Sequence, residues 1–509
     1  MIRRIILRLR HLLPCPLSFR LMSHLPILVQ SLLFRSYTRI SKNPRKPSRL
    51  HTTSYLDGLR GLAALIVCVC HYTEENHPNL TTWYGVFPNP ALALEPSWIQ
   101  LPFVRVIFSG RPMVHLFFVI SGFALSVKAL AAIRERKFEK CHSILASAAF
   151  RRPIRLCGPP VVSMVFIVLF IRAGWLRGAL PTSRQQLNDW VAAVYYHVIW
   201  PWSWDTHLYP GYNVNLWTIP VELCHSMLLF LMVLAMSRIR AAARITIVLS
   251  LVVYCLHCGK WAAAEFIAGI LLAEAHLVGE ERRGHERLPL SNSPPCFEHS
   301  QEEKPKTWGT GARNLTIRRL EIILHIAILT AALFIAGWPN VDSSRTPGIR
   351  LLVFRAPKAF NPHDPQGPQK FWFAIAAMGS VWSCGRISFV HKILETRFAQ
   401  YAGRISFAVY IVHGPVFNLF SDAVLGVSRR PERWVNGKGS GLRGWIGIDT
   451  AFNRTLCWAT GFAILFPAVL VTAHFFCRFV DEPLVRFAKT MESWAVSDAD
   501  PVLERETNS

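Results

Sequence analysis

Apolar residues in this chain fall in long uninterrupted blocks, separated by loops that are basic, aromatic or rich in proline. Ten blocks stand out, at about 57–74, 112–132, 159–176, 217–237, 245–259, 261–278, 320–338, 371–385, 404–420 and 455–480. A helix of roughly 20 apolar residues crosses a bilayer core. Inside lipid a helix also satisfies its own backbone, which an open strand cannot do. The pattern therefore predicts an all-α fold, a polytopic transmembrane helical bundle of about ten spans with no internal repeat. The fifth and sixth blocks form a tight hairpin. Three further segments follow: a basic extension over 1–54, a polar linker over 279–319 inside a membrane domain of 55–485, and a polar tail over 486–509.

Charge then sets the orientation. The 509 residues are 51% hydrophobic and only 17% charged, yet the formal net charge is +25. In a soluble protein that excess would suggest nucleic acid. Here the cations crowd loops that stay cytosolic, so the lipid bilayer is the expected partner and nucleic acid is not. The loops after spans two, four and six are basic and share the side of the N-terminus, which predicts a cytosolic N-terminus. Arg429, Arg430, Arg433, Lys438 and Arg443 follow span nine on the opposite side. One miscounted or re-entrant segment in the last third would account for them. Residues 1–50 hold no Asp or Glu. That composition suits a cytosolic extension lying on anionic lipid, with a transit peptide as the alternative. The expected location is an endomembrane of ER type, with an N-glycan at the sequon of Asn79 and none at Asn314, which falls in the linker. The twelve cysteines are scattered. Cys255 and Cys258 lack the second ligand pair that zinc needs, so neither a metal site nor a disulfide framework is expected.

Ionisable residues inside apolar blocks are the candidate chemistry, because charge at membrane depth is costly. The stretch Tyr55–Tyr72 reads YLDGLRGLAALIVCVCHY, with Asp57 as a plausible N-cap. Arg60 and His71 are eleven residues apart, so in a helix they share one stripe at an axial separation of roughly 16–17 Å. Counting from the membrane faces brings His71, Glu222 and His413 to similar depth from three spans, with His115 near that level. Such a convergence can poise a general base toward a hydroxyl. Alternatives remain open at this point: Glu222 can pair with His225 one turn on, and His115 can be structural. Glu265 and Glu274 read as packing groups. On the cytosolic side Arg152 and Arg155 face one way at the start of span three. Guanidinium pairs suit phosphate, and they also suit simple basic flanking.

These residues resemble the acyltransferase-3 family of integral membrane O-acyltransferases, in its fungal type, over roughly residues 55–485. The resemblance is carried by Arg60 and His71, by Arg152-x-x-Arg155, by Phe117–Phe123 with Ser121, by Leu216–Glu222, and by Ile405–His413. Leu223 stands where the family often has a second acid or polar residue. The resemblance implies transfer of an acyl group, commonly acetyl, from acyl-CoA (acetyl-CoA) as co-substrate to a hydroxyl, with no tightly bound cofactor. It implies His71 as the catalytic base or acyl carrier with Glu222 and His413 beside it, and Arg60, Arg152, Arg155 and Ser121 at the donor. The acceptor it implies is a small lipophilic hydroxylated molecule, such as a secondary metabolite. Two other classes compete with this enzyme. A proton-coupled secondary transporter would also use buried His and Glu. A non-catalytic membrane scaffold would keep the histidines for structure.

Overall fold

The computed structural model describes residues 51–84, 97–204, 211–287, 308–340, 343–361, 366–426 and 441–496. The basic stretch 1–50, Arg429, Arg430, Arg433, Lys438 and the last residues of the tail lie outside them. Its helices in chain order are α1 (Ser54–Asn76), α2 (Arg111–Arg134), α3 (Phe138–Arg172), α4 (Ser183–His197), α5 (Thr218–Ala235), α6 (Ala241–His257), α7 (Trp261–Arg287), α8 (Trp308–Ala336), α9 (Ile349–Arg355), α10 (Gly367–Cys384), α11 (Ser388–Leu394), α12 (Arg397–Leu425), α13 (Gly441–Ile446) and α14 (Ala451–Phe476). A π turn at Cys477–Asp481 leads into α15 (Glu482–Ala495).

Among the described residues, eight helices are long and apolar enough to cross a membrane. The pair α10 and α11, bent by 94°, is a broken span or a re-entrant loop, and the shorter apolar helix α6 fills the remaining block. The protein is thus a multi-pass, all-helical membrane bundle, and its elements answer the ten apolar blocks one by one. Large apolar side chains exposed on the outside of α8, such as Leu320, Ile323 and Leu324, form the face such a bundle turns to lipid.

Element boundaries differ from the expectation wherever charge interrupts a helix without ending it. α3 is a single helix of 35 residues that absorbs most of the basic loop before span three. At 1.5 Å per residue it is roughly 50 Å long, so its arginine-bearing first half reaches beyond a bilayer core. The linker is shorter than expected, because α7 runs on to Arg287 and α8 begins at Trp308. Much of the polar tail is helix α15, whose Glu492 pairs with Arg151 of α3 at 3.1 Å. Asp57 lies in the first turn of α1 rather than at its N-cap, which is Thr53. There it still complements the positive helix terminus. Asn79 is buried in a 3-10 turn at 4% exposure. Burial at that sequon leaves little room for a glycan in the folded protein.

The first span is held by α12. The two run parallel: Asp57 lies beside Gly403, Arg60 bonds Ser406, His71 stacks on His413 and Tyr72 packs at a tilt on Phe417. Arg443, in α13 after α12, donates to Asn76 Oδ1 at 2.9 Å at the far end of α1.

Close approach of the two backbones depends on glycine. A Cβ on Gly61 would stand 2.3 Å from the Gly403 nitrogen. Small residues of this kind are how membrane helices pack closely. Gly61→Leu is expected to destabilise the fold by about 3 kcal/mol, seen as a lowered unfolding temperature of the detergent-solubilised protein.

Two apolar cores flank the site. One gathers α1, α2, α7 and α10, and the other gathers α3, α12 and α14. Helix α5 serves both, with Val221 and Leu229 in the first and Ile219 and Leu223 in the second. Buried acids lock the first core: Glu274 accepts from Arg244 and, at 2.8 Å, from Arg134. Glu265 pairs with His115, whose ring packs on Trp261.

Candidate active site

A cavity of about 260 Å³ opens where α1, α2, α3, α5 and α12 meet. Four arginines line it, Arg60, Arg152, Arg155 and Arg404, with Glu222, Asp481, Ser121 and Tyr410. Four guanidiniums against two carboxylates leave the lining cationic. Each charge reaches the cavity for a local reason. Arg60 is drawn across the α1–α12 seam, donating from Nε to Ser406 Oγ at 3.1 Å and from Nη2 to the Gly403 carbonyl at 3.2 Å. Arg152 donates to Glu222 Oε1 at 2.6 Å and to Ser226 Oγ at 3.0 Å. Ser121 donates to the same Glu222 oxygen at 2.9 Å. Arg155 lies one turn along α3 from Arg152, within electrostatic reach of Asp481, Arg60 and Arg151. Phe117, Phe118, Leu125 and Phe407 supply apolar wall. A concave space with convergent cations and an apolar lining suits an anionic group attached to an uncharged arm.

The histidines form a second station beyond this cavity. The rings of His71 and His413 stack at 5.2 Å between centroids with a 16° interplanar angle. His413 is fully buried and has both ring nitrogens engaged. Nδ1 donates to the Val409 carbonyl at 3.0 Å, which leaves Nε2 to accept from Asn215 Nδ2 at 3.1 Å. A Cβ on Gly414 would stand 2.7 Å from that amide nitrogen, so the glycine after His413 lets Asn215 reach the ring. His413 is therefore a neutral, fixed platform. His71 is different: its side chain is 39% exposed, and its Nδ1 lies 3.4 Å from Glu74 Oε2.

A short relay of hydroxyls joins the stations. Tyr410 lies three residues before His413 on α12 and lines the cavity. Its phenol donates to the Asn215 carbonyl, so the Thr218 hydroxyl, 2.6 Å from it, donates to Tyr410. The segment carrying Asn215 is anchored by Asn213, which donates to the Ile411 carbonyl at 3.0 Å, and by Tyr212. Burial, and then the hydrogen bond to Asp189, push the Tyr212 phenol up to about 12, so it stays a neutral donor. Tyr410→Phe leaves the Asn215 carbonyl without its donor. The expected cost is about 1–2 kcal/mol, read as a lower unfolding temperature.

The match to known proteins is decided by extent. The acyltransferase-3 family model, described as an acyltransferase domain, covers residues 53–475. The chain belongs to the acyltransferase-3 family. It is 27% identical to the O-acetyltransferase PaAT-1 of Phomopsis amygdali over 478 residues, 88% of this chain and 86% of that protein. It is 24% identical to the acyltransferase clz18 of Cochliobolus lunatus over 493 residues, 86% of this chain and 95% of that protein. The acyltransferase R4 of a Phoma species shows the same identity and coverage. No solved structure matches the chain.

In this acyltransferase the residues singled out from sequence divide between the two stations. Arg60, Ser121, Arg152, Arg155 and Glu222 share the cavity. His71 and His413 share the stack. Glu222 thus stands apart from the histidines it was expected to join, because Arg152 and Ser121 hold it. Nor does it pair with His225, whose Nδ1 bonds the Val221 carbonyl at 2.7 Å. His115 stays with Glu265, outside both stations. Sequence reasoning missed Glu74, Asn215, Thr218, Arg404, Tyr410 and Asp481. Tyr410 was legible, since it occupies the tyrosine position of the Ile405–His413 motif. Asn215 and Asp481 sit outside the apolar blocks and carry no periodic signal.

Proposed function

We propose that the protein is an acyl-CoA-dependent O-acyltransferase that moves an acyl group, acetyl in the first instance, to a hydroxyl of a small lipophilic acceptor. The observation that carries this reading is the pairing of an arginine-lined cavity with a half-exposed histidine roughly 16 Å along the same helix. The arginines hold phosphate groups of the donor at the end of the bundle that faces the cytosol. The uncharged arm of the donor follows the apolar wall toward the histidines, and the thioester comes to rest beside His71. The acceptor enters from the lipid-facing or far side. His71 Nε2 takes the proton of the acceptor hydroxyl as its oxygen attacks the thioester carbonyl. The tetrahedral intermediate collapses, the carbon–sulfur bond breaks, and the CoA thiolate takes the proton back from His71. The ester and free CoA leave.

The relatives support this direction: PaAT-1 is named an O-acetyltransferase. Secondary metabolites fit the acceptor class by their lipophilic hydroxyls, and an ER-type membrane fits the location. The test is purified protein in detergent or nanodiscs, given radiolabelled acetyl-CoA and a panel of lipophilic alcohols. Labelled ester together with free thiol is the expected result. No label transfer, combined with proton-coupled uptake of a solute into proteoliposomes, would replace the acyltransferase by a transporter.

A further inference from the structure

The group that faces His71 most directly is an acid on its own helix. Glu74 lies three residues after His71, one turn on, and both of its oxygens are committed. Oε2 lies 3.4 Å from His71 Nδ1. Oε1 accepts from Asn340 Nδ2 at 2.6 Å. Asn340 comes from the segment after α8, and its backbone N–H donates to the Thr81 carbonyl at 2.9 Å. A residue distant in sequence thus grips the carboxylate from a fixed backbone position. The other groups around the imidazole come from the neighbouring elements. His413 of α12 stacks on its face with both nitrogens engaged. Arg111 at the start of α2 lies within electrostatic reach of Glu74, and Cys70 is in hydrogen-bonding contact with it. Arg443 of α13 is occupied at Asn76.

We propose that Glu74, clamped by Asn340, is the positioning residue of His71. It holds the proton on Nδ1 and so presents the Nε2 lone pair to the acceptor hydroxyl. The inference rests on the reading of His71 as general base given above. A histidine that must act through one nitrogen needs its other nitrogen fixed by a hydrogen bond. The separation of 3.4 Å is long for that bond, and catalytic hydrogen bonds commonly shorten when substrate binds. The carboxylate also stabilises the imidazolium formed when the hydroxyl proton is taken. A structural explanation of Glu74, as an anchor for Asn340 alone, makes a different prediction. It would leave turnover in the folded enzyme indifferent to the charge at position 74.

The test is acetyl transfer by the full-length protein in nanodiscs, for wild type, Glu74→Gln, Glu74→Asp, Asn340→Ala and His71→Ala. Glu74→Gln removes the charge that holds the imidazole and stabilises the imidazolium formed as the hydroxyl proton is taken. In it kcat falls about 100-fold, while KM for acetyl-CoA stays within twofold of wild type. Glu74→Asp keeps the charge and recovers about tenfold of that loss. Asn340→Ala lowers kcat by about tenfold, because the carboxylate is present but no longer clamped. Unaltered kcat in Glu74→Gln overturns the proposal while leaving the general base in place, provided His71→Ala is inactive. A fully active His71→Ala removes the general base itself. If Glu74→Gln yields too little folded protein, the Glu74→Asp and Asn340→Ala rates decide. Wild-type kcat in Asn340→Ala overturns the clamp.

Discussion

His71→Ala lowers kcat for acetyl transfer by about 10²–10⁴-fold, the usual worth of a positioned general base, with the yield and thermal stability of the protein preserved. The side chain is 39% exposed, so alanine there empties little buried space. Its stacking on His413 is lost, but His413 remains held by the Val409 carbonyl and Asn215. The loss should therefore appear in turnover and not in folding. Transfer at the wild-type rate in this variant would falsify the role assigned to His71. His71→Gln is a useful companion, because it restores bulk against His413 without a titratable nitrogen.

The second large effect lies at the other station. Arg152→Ala, alone or with Arg155→Ala, raises the apparent KM for acetyl-CoA by at least tenfold. A phosphate contact by a guanidinium is a charge-assisted hydrogen bond worth about 1.5–3 kcal/mol. Removing Arg152 also leaves Glu222 with Ser121 as its remaining donor in the cavity. Breaking a fully buried pair costs about 3–5 kcal/mol. The Arg152 and Glu222 side chains are 20% and 18% exposed, so water screens the loss and about 2 kcal/mol is expected here. The double variant Arg152→Met/Glu222→Met separates the two effects. It recovers stability by removing both charges and still binds the donor poorly. Arg152→Lys keeps the charge but cannot reach Glu222 and Ser226 together, so its KM falls between wild type and alanine. An unchanged KM in Arg152→Ala with Arg155→Ala would remove the donor from this cavity.

The fold was legible because a membrane makes sequence simple. Backbone satisfaction forces helices, and length against bilayer thickness fixes their number. The places where reading by apolar block falls short are those where polarity does not end a helix. Arg151, Arg152 and Arg155 continue α3 instead of breaking it, and the acidic and basic residues after Gly279 continue α7. The site was legible in its members but not in its grouping. Counting from block edges places Glu222 level with His71, yet Glu222 lines the cavity with Arg60, roughly 16 Å along α1 from His71. Apolar blocks show neither how deep a helix sits nor which neighbour a side chain meets, and these follow from contacts such as Gly61 against Gly403. Packing gives Glu222 to Arg152 and His71 to His413. Glu74 escaped notice for another reason: it stands at the end of an apolar block, where an acid is unremarkable until Asn340 arrives from the segment after α8.

The histidine stack and the arginine cavity are separate stations on one pair of parallel helices, and this separation is the core of the account. It is tested most directly by titrating acetyl-CoA into the His71→Ala protein and measuring the heat of binding. The account predicts a dissociation constant within twofold of wild type in a variant that no longer turns over. Loss of donor binding in His71→Ala would contradict it, because one site would then serve both purposes.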